Sequence, residues 1–396
     1  MRLIIDGWSL HPPKSGIGVY TFELLSRLSQ REAVDGLEVY MDGAICSFDN
    51  ALKATEVVDE APGPDDRASL ARRAWRQAKR LPAVGPFLSR SRGSYLKRKL
   101  ERNLSARPFV FHAPNFVAPI HRGSLVVTIH DLSFLRYPGM HTRDRLDWII
   151  DGVERSVKDA SRIIVPSEFT RRELLHFFDD LDEERVVVTA LGAGDEYRSM
   201  PSWESKGTLE KYSLAHKRFC FFAGNAEPRK NLLRLLDAWG KLSPDLARAY
   251  PLVLAGPGGW LNHEIFEKAE RLEEAGLVRT LGFVAADDLP TLMAGARLFI
   301  YPSLYEGFGL PVLEAMSSGV PVITSKRASL PEITGSSASL IDPTDVDEMV
   351  FEIQRVLEDD RLSDAMSEQG LQRAQRFCWD DCVDRTVEAY RQAWNS

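Results

Sequence analysis

The chain has 396 residues, 44% hydrophobic and 27% charged, which is too long for one ordinary core and suits two globular domains of roughly 150–200 residues each. A formal charge of −7 argues against general nucleic-acid binding, which needs a basic face, and no window approaches the ~18 apolar residues of a membrane span. Four cysteines, Cys46, Cys220, Cys378 and Cys382, do not make a disulfide framework. Cys378 and Cys382 are spaced to share a helix face, but only acids stand near them as partners for a metal, so buried free thiols are the expectation. The opening MRLIID enters a strand-like run with no signal-peptide pattern, which predicts a cytoplasmic protein.

Short β-branched runs then alternate with longer helical patterns. Strands are predicted at 3–6, 37–41, 110–112, 125–130, 162–166 and 185–189, and again at 219–223, 251–255, 278–282, 298–302 and 320–324. Helical periodicity fills the gaps, for example at 231–242 and 310–318. This rhythm predicts an α/β protein of two Rossmann-like doubly wound domains facing each other across a cleft. The polar stretch MPSWESKG (200–207) is the expected boundary. It divides residues 1–200 from 201–380, with 381–396 a terminal helix returning toward the first domain. Ligands of such sheets bind beyond the carboxyl ends of the strands, so the chemistry belongs on the loops that follow them.

Those loops carry the informative residues. After the first strand, Ser15-Gly16-Ile17-Gly18-Val19-Tyr20 opens a helix but falls short of a dinucleotide fingerprint. Thr128-Ile129-His130-Asp131 ends a strand of the same domain. In the second half, Gly224-Asn225-Ala226-Glu227-Pro228-Arg229-Lys230-Asn231 puts a glycine at a strand end and two cations beside Pro228. Arg is a planar fork for phosphate oxygens and Lys a point charge. Adjacent residues reach one ligand only from a turn or a first helical turn, where they oppose the helix dipole until an anion binds. The stretch YPSLYEGFGLPVLEAMSSGVP (301–321) leads from a strand through Gly307-Phe308-Gly309 into a helix near Leu310. Small residues and a helix N-terminus suit an anion. Glu306 and Glu314 are carboxylates suited to vicinal sugar hydroxyls.

Between 67 and 102 lie twelve Lys or Arg and one acid, Glu101, leaving −18 on the remainder. At ~100° per residue, Leu70, Ala71, Ala74, Trp75, Ala78 and Leu81 share an arc of roughly 140°. Arg72, Arg73, Arg76, Lys79 and Arg80 lie opposite. This is the pattern of a helix lying on an anionic membrane. A solvated helix packed on the first domain has the same pattern.

Together these residues resemble the retaining family 4 glycosyltransferases of GT-B architecture. The likeness runs nearly the whole chain, in the order Ser-Gly-Ile-Gly, Thr-Ile-His-Asp, Val-Pro-Ser-Glu-Phe-Thr, Glu-Pro-Arg-Lys-Asn, Leu-Ala-Gly and the two glutamates of the last loop. It is strongest to bacterial mannosyltransferase-like enzymes of O-antigen and surface polysaccharide synthesis, including their Ser329-Leu330-Pro331-Glu332 segment and the aromatics of Phe377-Cys378-Trp379. Asn225, in place of a small hydroxyl residue, and Ser336, in place of an Asp after Gly335, depart from the pattern.

The resemblance implies that Arg229 and Lys230 hold the diphosphate of a nucleotide sugar, GDP-mannose by subgroup. Glu314 would take the ribose and Glu306 would sit by the transferred sugar. The amides of Phe308, Gly309 and Leu310, with Gly224, Asn225 and Gly307, would surround the donor. His130 would approach from the other domain, with Gly16, Gly18 and Asp131 on the acceptor side. No cofactor and no metal are implied. The partners are a nucleotide sugar, a lipid-linked saccharide acceptor and an anionic membrane surface at the inner face of the cell membrane, with no nucleic acid. An epimerase or hydrolase of the same architecture would need a second acid–base set, and a non-catalytic binder would lack a charged site residue. Neither condition is met in the sequence.

Overall fold

Two sheets carry the molecule, parallel throughout except for one antiparallel edge strand. The computed structural model describes residues 1–12, 16–56, 108–120, 123–256 and 263–395. The basic segment with Arg72, Arg73, Trp75, Arg76, Lys79 and Arg80 lies outside the described residues.

The first sheet contains β1 (Arg2–Asp6), β2 (Gly36–Met41), β3 (Ala44–Cys46), β4 (Val110–Ala113), β5 (Ser124–Thr128), β6 (Arg162–Val165) and β7 (Val186–Val188), in the order β3-β2-β1-β4-β5-β6-β7. The second contains β8 (Cys220–Ala223), β9 (Leu252–Ala255), β10 (Val278–Gly282), β11 (Leu298–Tyr301), β12 (Val322–Ser325) and β13 (Ser339–Ile341), in the order β10-β9-β8-β11-β12-β13. All eleven predicted strands are present, and each sheet reverses its strand order once, as doubly wound sheets do.

Two short strands were not predicted. β3 pairs antiparallel with β2 through a two-residue turn, with Met41 opposite Ala44. Asp42 and Gly43 both take positive φ, 51° and 81°, the Asp-Gly hairpin signature. β13 has three residues at a sheet edge, too few for a periodicity to emerge.

Alternation along the strands builds a core on each face of the first sheet. Ile4 of β1 packs with Phe111, Val127 and Ile163 on one side, while Leu3 and Ile5 face Tyr20, Leu24 and Leu25 on the other. The second of these clusters is continuous with the core of the second domain, because the last helix, Trp379–Asn395, crosses to the first sheet. There Tyr390 hydroxyl and His112 Nδ1 lie 2.7 Å apart, and Arg31 pairs with Asp384 at 2.7 Å. Burial lowers the His112 pKa to about 3, so the ring is neutral. Its Nε2 contacts Thr128 at 2.8 Å, and Thr128 in turn meets Tyr20 at 3.0 Å. This buried polar chain fastens the terminal helix to the first domain.

The polar stretch 200–207, expected as the boundary, holds the start of a helix that was not predicted, Ser202–Lys211, packed on Leu289–Gly295 of the second domain. Its burial of Ser205 and Leu209 outweighs the Gly207 signal. Cys378 and Cys382 do not share a helix face, because the helix begins at Trp379. The Cys378 sulfur instead accepts from the Asp381 amide at 3.4 Å, while Cys382 is fully buried. Among the described residues no helix is long and apolar enough to cross a membrane.

Candidate functional site

The strand order of the second sheet reverses between β8 and β11, and the crevice at such a point is where open α/β sheets bind ligands. The Gly224–Asn231 loop leaves β8 and the 302–309 loop leaves β11, so the two motifs flank one crevice.

Pro228–Lys230 form a single 3-10 turn, and Asn231 takes a left-handed conformation (φ 60°) before the helix Leu232–Lys241. Asn231 is held there by Nδ2 bonds to the carbonyls of Pro302 (3.0 Å) and Pro343 (2.6 Å). Arg229 and Lys230 therefore project from a turn, and their surroundings differ from the expected pair awaiting an anion. Lys230 Nζ donates to Glu306 Oε1 at 2.6 Å and to the Tyr301 hydroxyl. Arg229 Nη1 donates to Glu306 Oε2 at 2.9 Å and Nε to Glu227 Oε2 at 3.0 Å. The dipole cost expected of these cations is offset inside the protein by carboxylates. Arg229 Nη2 and one Lys230 hydrogen are left unengaged among the described residues.

Glu306 is buried, and Ser303 Oγ donates to its Oε1 at 2.7 Å. Burial alone would push this carboxyl up, but the charges of Arg229 and Lys230 outweigh it and hold the pKa at about 2. Lys230 is shifted down by burial first and by Arg229 second. Glu314 behaves in the opposite way. Burial, reinforced by the charge of Glu196, pushes it up to about 8. A hydrogen bond from Tyr197 to the same carboxyl opposes that rise. One glutamate of the loop–helix motif is thus a fixed anion and the other titrates near neutrality.

Gly307 touches the other domain. A Cβ there would collide with the His130 carbonyl oxygen, so this glycine permits the approach of the two domains. Gly309 takes φ 105° and precedes the helix Leu310–Ser317, which no side chain caps. The amides of Phe308, Gly309 and Leu310 meet no protein acceptor among the described residues. Phe308 packs its ring on Phe377, 5.9 Å between centroids. Three consecutive free amides at a helix N-terminus, on the loop whose Glu306 holds both cations, are suited to an anion.

Across the cleft, His130 Nε2 lies 2.8 Å from the Pro114 carbonyl, so it carries the proton, and the ring is packed edge-on to Tyr20 and Phe116. Burial lowers its pKa, outweighing Pro114 and Asp131. Asp131 accepts from the Ser133 amide at 2.9 Å and adds to the field that keeps Arg229 charged. It therefore faces the Arg229 side of the cleft. Gly16 opens its helix in free space, and Gly18 is buried in the same helix. Gly224 closes β8 with φ 151°, and Asn225 Nδ2 donates to Glu227 Oε1 at 3.3 Å.

The sequence reading missed Ser303, Tyr301, Glu227, Glu196 and Tyr197. Ser303 and Tyr301 sit within the β11 motif and Glu227 within the β8 motif, but nothing in the spacing marks them as partners of the cations. Glu196 and Tyr197 come from the segment between domains, which carries no motif.

Two family models match the chain, glycosyltransferase family 4 over residues 14–193 and glycosyl transferases group 1 over residues 209–373. The chain is also 34% identical over 391 residues to O-antigen chain mannosyltransferase B of Escherichia coli, covering 99% of this chain and 100% of that protein. The chain belongs to the family 4 glycosyltransferases. It is an enzyme of that class, with the two-domain GT-B fold. Against the serotype-specific mannosyltransferase WbdA of Escherichia coli the identity is 32% over 244 residues, 60% of this chain but 29% of that longer protein. The glycosyltransferase also shares its fold with Anabaena HepE, crystallised with UDP and glucose. The TM-score is 0.71 at 18% identity, over 98% of both chains.

Proposed function

We propose that this glycosyltransferase moves a mannosyl group from GDP-mannose to a growing, lipid-linked saccharide with retention of anomeric configuration and without a metal. The end-to-end 34% identity with an O-antigen chain mannosyltransferase carries the choice of sugar and acceptor class. In this reading the donor diphosphate lies on the amides of Phe308, Gly309 and Leu310 and takes the open hydrogens of Arg229 and Lys230. Glu314 receives the ribose hydroxyls, and His130 and Glu306 border the sugar.

The acceptor hydroxyl attacks the anomeric carbon on the face the nucleotide leaves. The bond from that carbon to the phosphate oxygen breaks, and the hydroxyl proton passes to the departing phosphate, giving a glycoside and GDP. Both Glu306 oxygens are already bonded to cations and to Ser303, which makes it a poor covalent nucleophile and supports same-face attack. Charge developing on the leaving group is met by cations and amides, a contribution worth ~10²–10³ in rate per group. The basic segment that includes Arg72, Arg73, Trp75, Arg76, Lys79 and Arg80 would hold the enzyme at the inner face of the cell membrane, where a lipid-linked acceptor resides.

The test is a screen of GDP-mannose, GDP-glucose, UDP-glucose and dTDP-glucose with a mannose-terminated acceptor in excess chelator, with the product anomer read by NMR. Transfer from GDP-mannose with retention is expected. Preference for another donor, inversion, or activity restored only by Mg²⁺ or Mn²⁺ would each overturn the corresponding part.

A further inference from the structure

In the loop that carries the free amides, the carbonyls of Glu306, Gly307 and Phe308 are each held by a hydroxyl from outside the loop. Ser329 Oγ lies 2.9 Å from the Glu306 oxygen and 2.8 Å from the Phe308 oxygen, sharing its proton between them. The Gly307 oxygen accepts from two hydroxyls of the opposite domain, Ser167 Oγ at 2.6 Å and Thr170 Oγ1 at 2.9 Å. All three hydroxyl residues are fully buried. In a planar trans peptide the C=O and the following N–H point in opposite directions. Holding the Gly307 oxygen therefore aims the Phe308 N–H, and holding the Phe308 oxygen aims the Gly309 N–H.

The residues that supply the two cross-domain hydroxyls are themselves anchored. Ser167 caps the ten-residue helix Glu168–Phe177. The Glu332 carboxylate, from the second domain, accepts the Glu168 amide at 2.9 Å and the Phe169 amide at 3.0 Å. A carboxylate on helix amides is charge-assisted and favoured by the dipole. Tyr305 adds a further link, accepting the Leu132 amide at 3.3 Å and donating to Glu173 at 3.3 Å.

We infer that Ser167, Thr170, Ser329 and Glu332 are positioning residues for transfer. They set the direction of the Phe308 and Gly309 amides, and half of that setting exists only while the two domains are docked. Glu332 clamps the first-domain helix so that Ser167 and Thr170 reach Gly307. Donor can bind the second domain in an open state, but the amide cradle assembles on closure, which couples the conformational step to chemistry. This rests on the donor site assigned above.

The experiment compares wild type, Ser167→Ala/Thr170→Val and Glu332→Gln in three measurements. These are kcat and donor KM for mannosyl transfer, calorimetric titration with GDP and with UDP, and the radius of gyration in solution with and without GDP. The double variant should lose kcat on the order of 100-fold, the scale of a misaimed catalytic group, with donor KM and GDP affinity changed less than about threefold. Glu332→Gln keeps the shape but loses an acceptor. It should show a smaller kcat loss and a larger radius with GDP bound. A folded double variant with wild-type kcat overturns the inference, and if it does not fold, wild-type kcat and radius in Glu332→Gln overturn it equally. If wild type titrates with neither nucleotide, the donor-site reading itself fails and the positioning role goes with it. GDP or UDP binding with kcat intact in the variants refutes the positioning role alone.

Discussion

Lys230 and Glu306, seventy-six residues apart in sequence, meet in a buried pair at 2.6 Å in the crevice of the second domain. The pair makes the candidate site an internally neutralised cluster. Donor phosphate would have to draw on the open hydrogens around it or exchange partners with the carboxylates.

Removing one partner of a buried charge pair leaves the other poorly satisfied, and the penalty is larger than the net value of the pair. Lys230→Met should lose activity by ~10²–10³ and also destabilise the protein by about 1–3 kcal/mol, since Glu306 keeps Arg229 and Ser303. Adding Glu306→Gln should recover part of the stability, read by urea unfolding, but none of the activity. Recovery of turnover in the double variant would show that Lys230 acts only as a counter-ion.

With the ribose on Glu314, as proposed, the donor affinity should depend on pH with a definite sign. Its free-enzyme pKa is pushed up to about 8 by burial and Glu196. Ribose hydroxyls donating to the carboxylate favour the charged form, so the bound-state pKa lies lower and binding releases a proton. Affinity should therefore rise with pH between the bound value and about 8, by at most tenfold per unit, and level off above 8. Titrations of GDP between pH 6.5 and 8.5 should tighten several-fold in wild type and much less in Glu314→Gln. Equal pH dependence in both proteins would detach Glu314 from the ribose.

The basic segment gives a third expectation. Each cation near an anionic surface is worth about 1 kcal/mol, weakened by salt. The protein should co-sediment with vesicles containing anionic lipid and be released by high salt. Reversing Arg72, Arg73, Arg76 and Arg80 to Glu should abolish binding while leaving hydrolysis of soluble GDP-mannose unchanged. Undiminished binding of the reversed protein would assign the segment to a solvated or packed helix.

The sequence by itself determined the two doubly wound sheets and the loops that carry the chemistry. Strand periodicity, β-branched runs and glycines at strand ends act over a few residues, so Phe219 to Gly224 or Tyr301 to Leu310 can be read where they stand. The family likeness added roles for Arg229, Lys230, Glu306 and Glu314, again residue by residue. Only the tertiary structure decided which charges face one another. Glu306 and Glu314, eight positions apart on one motif, shift in opposite directions because burial is outweighed by Arg229 and Lys230 at the first and reinforced by Glu196 at the second. The helix Ser202–Lys211 was not predicted because its partner, Leu289–Gly295, is remote in sequence. The contacts of Ser167, Thr170 and Glu332 across the cleft are equally invisible to local pattern. They bring together residues separated by 137 to 164 positions, and no local propensity encodes a hydrogen bond that exists only when two domains dock.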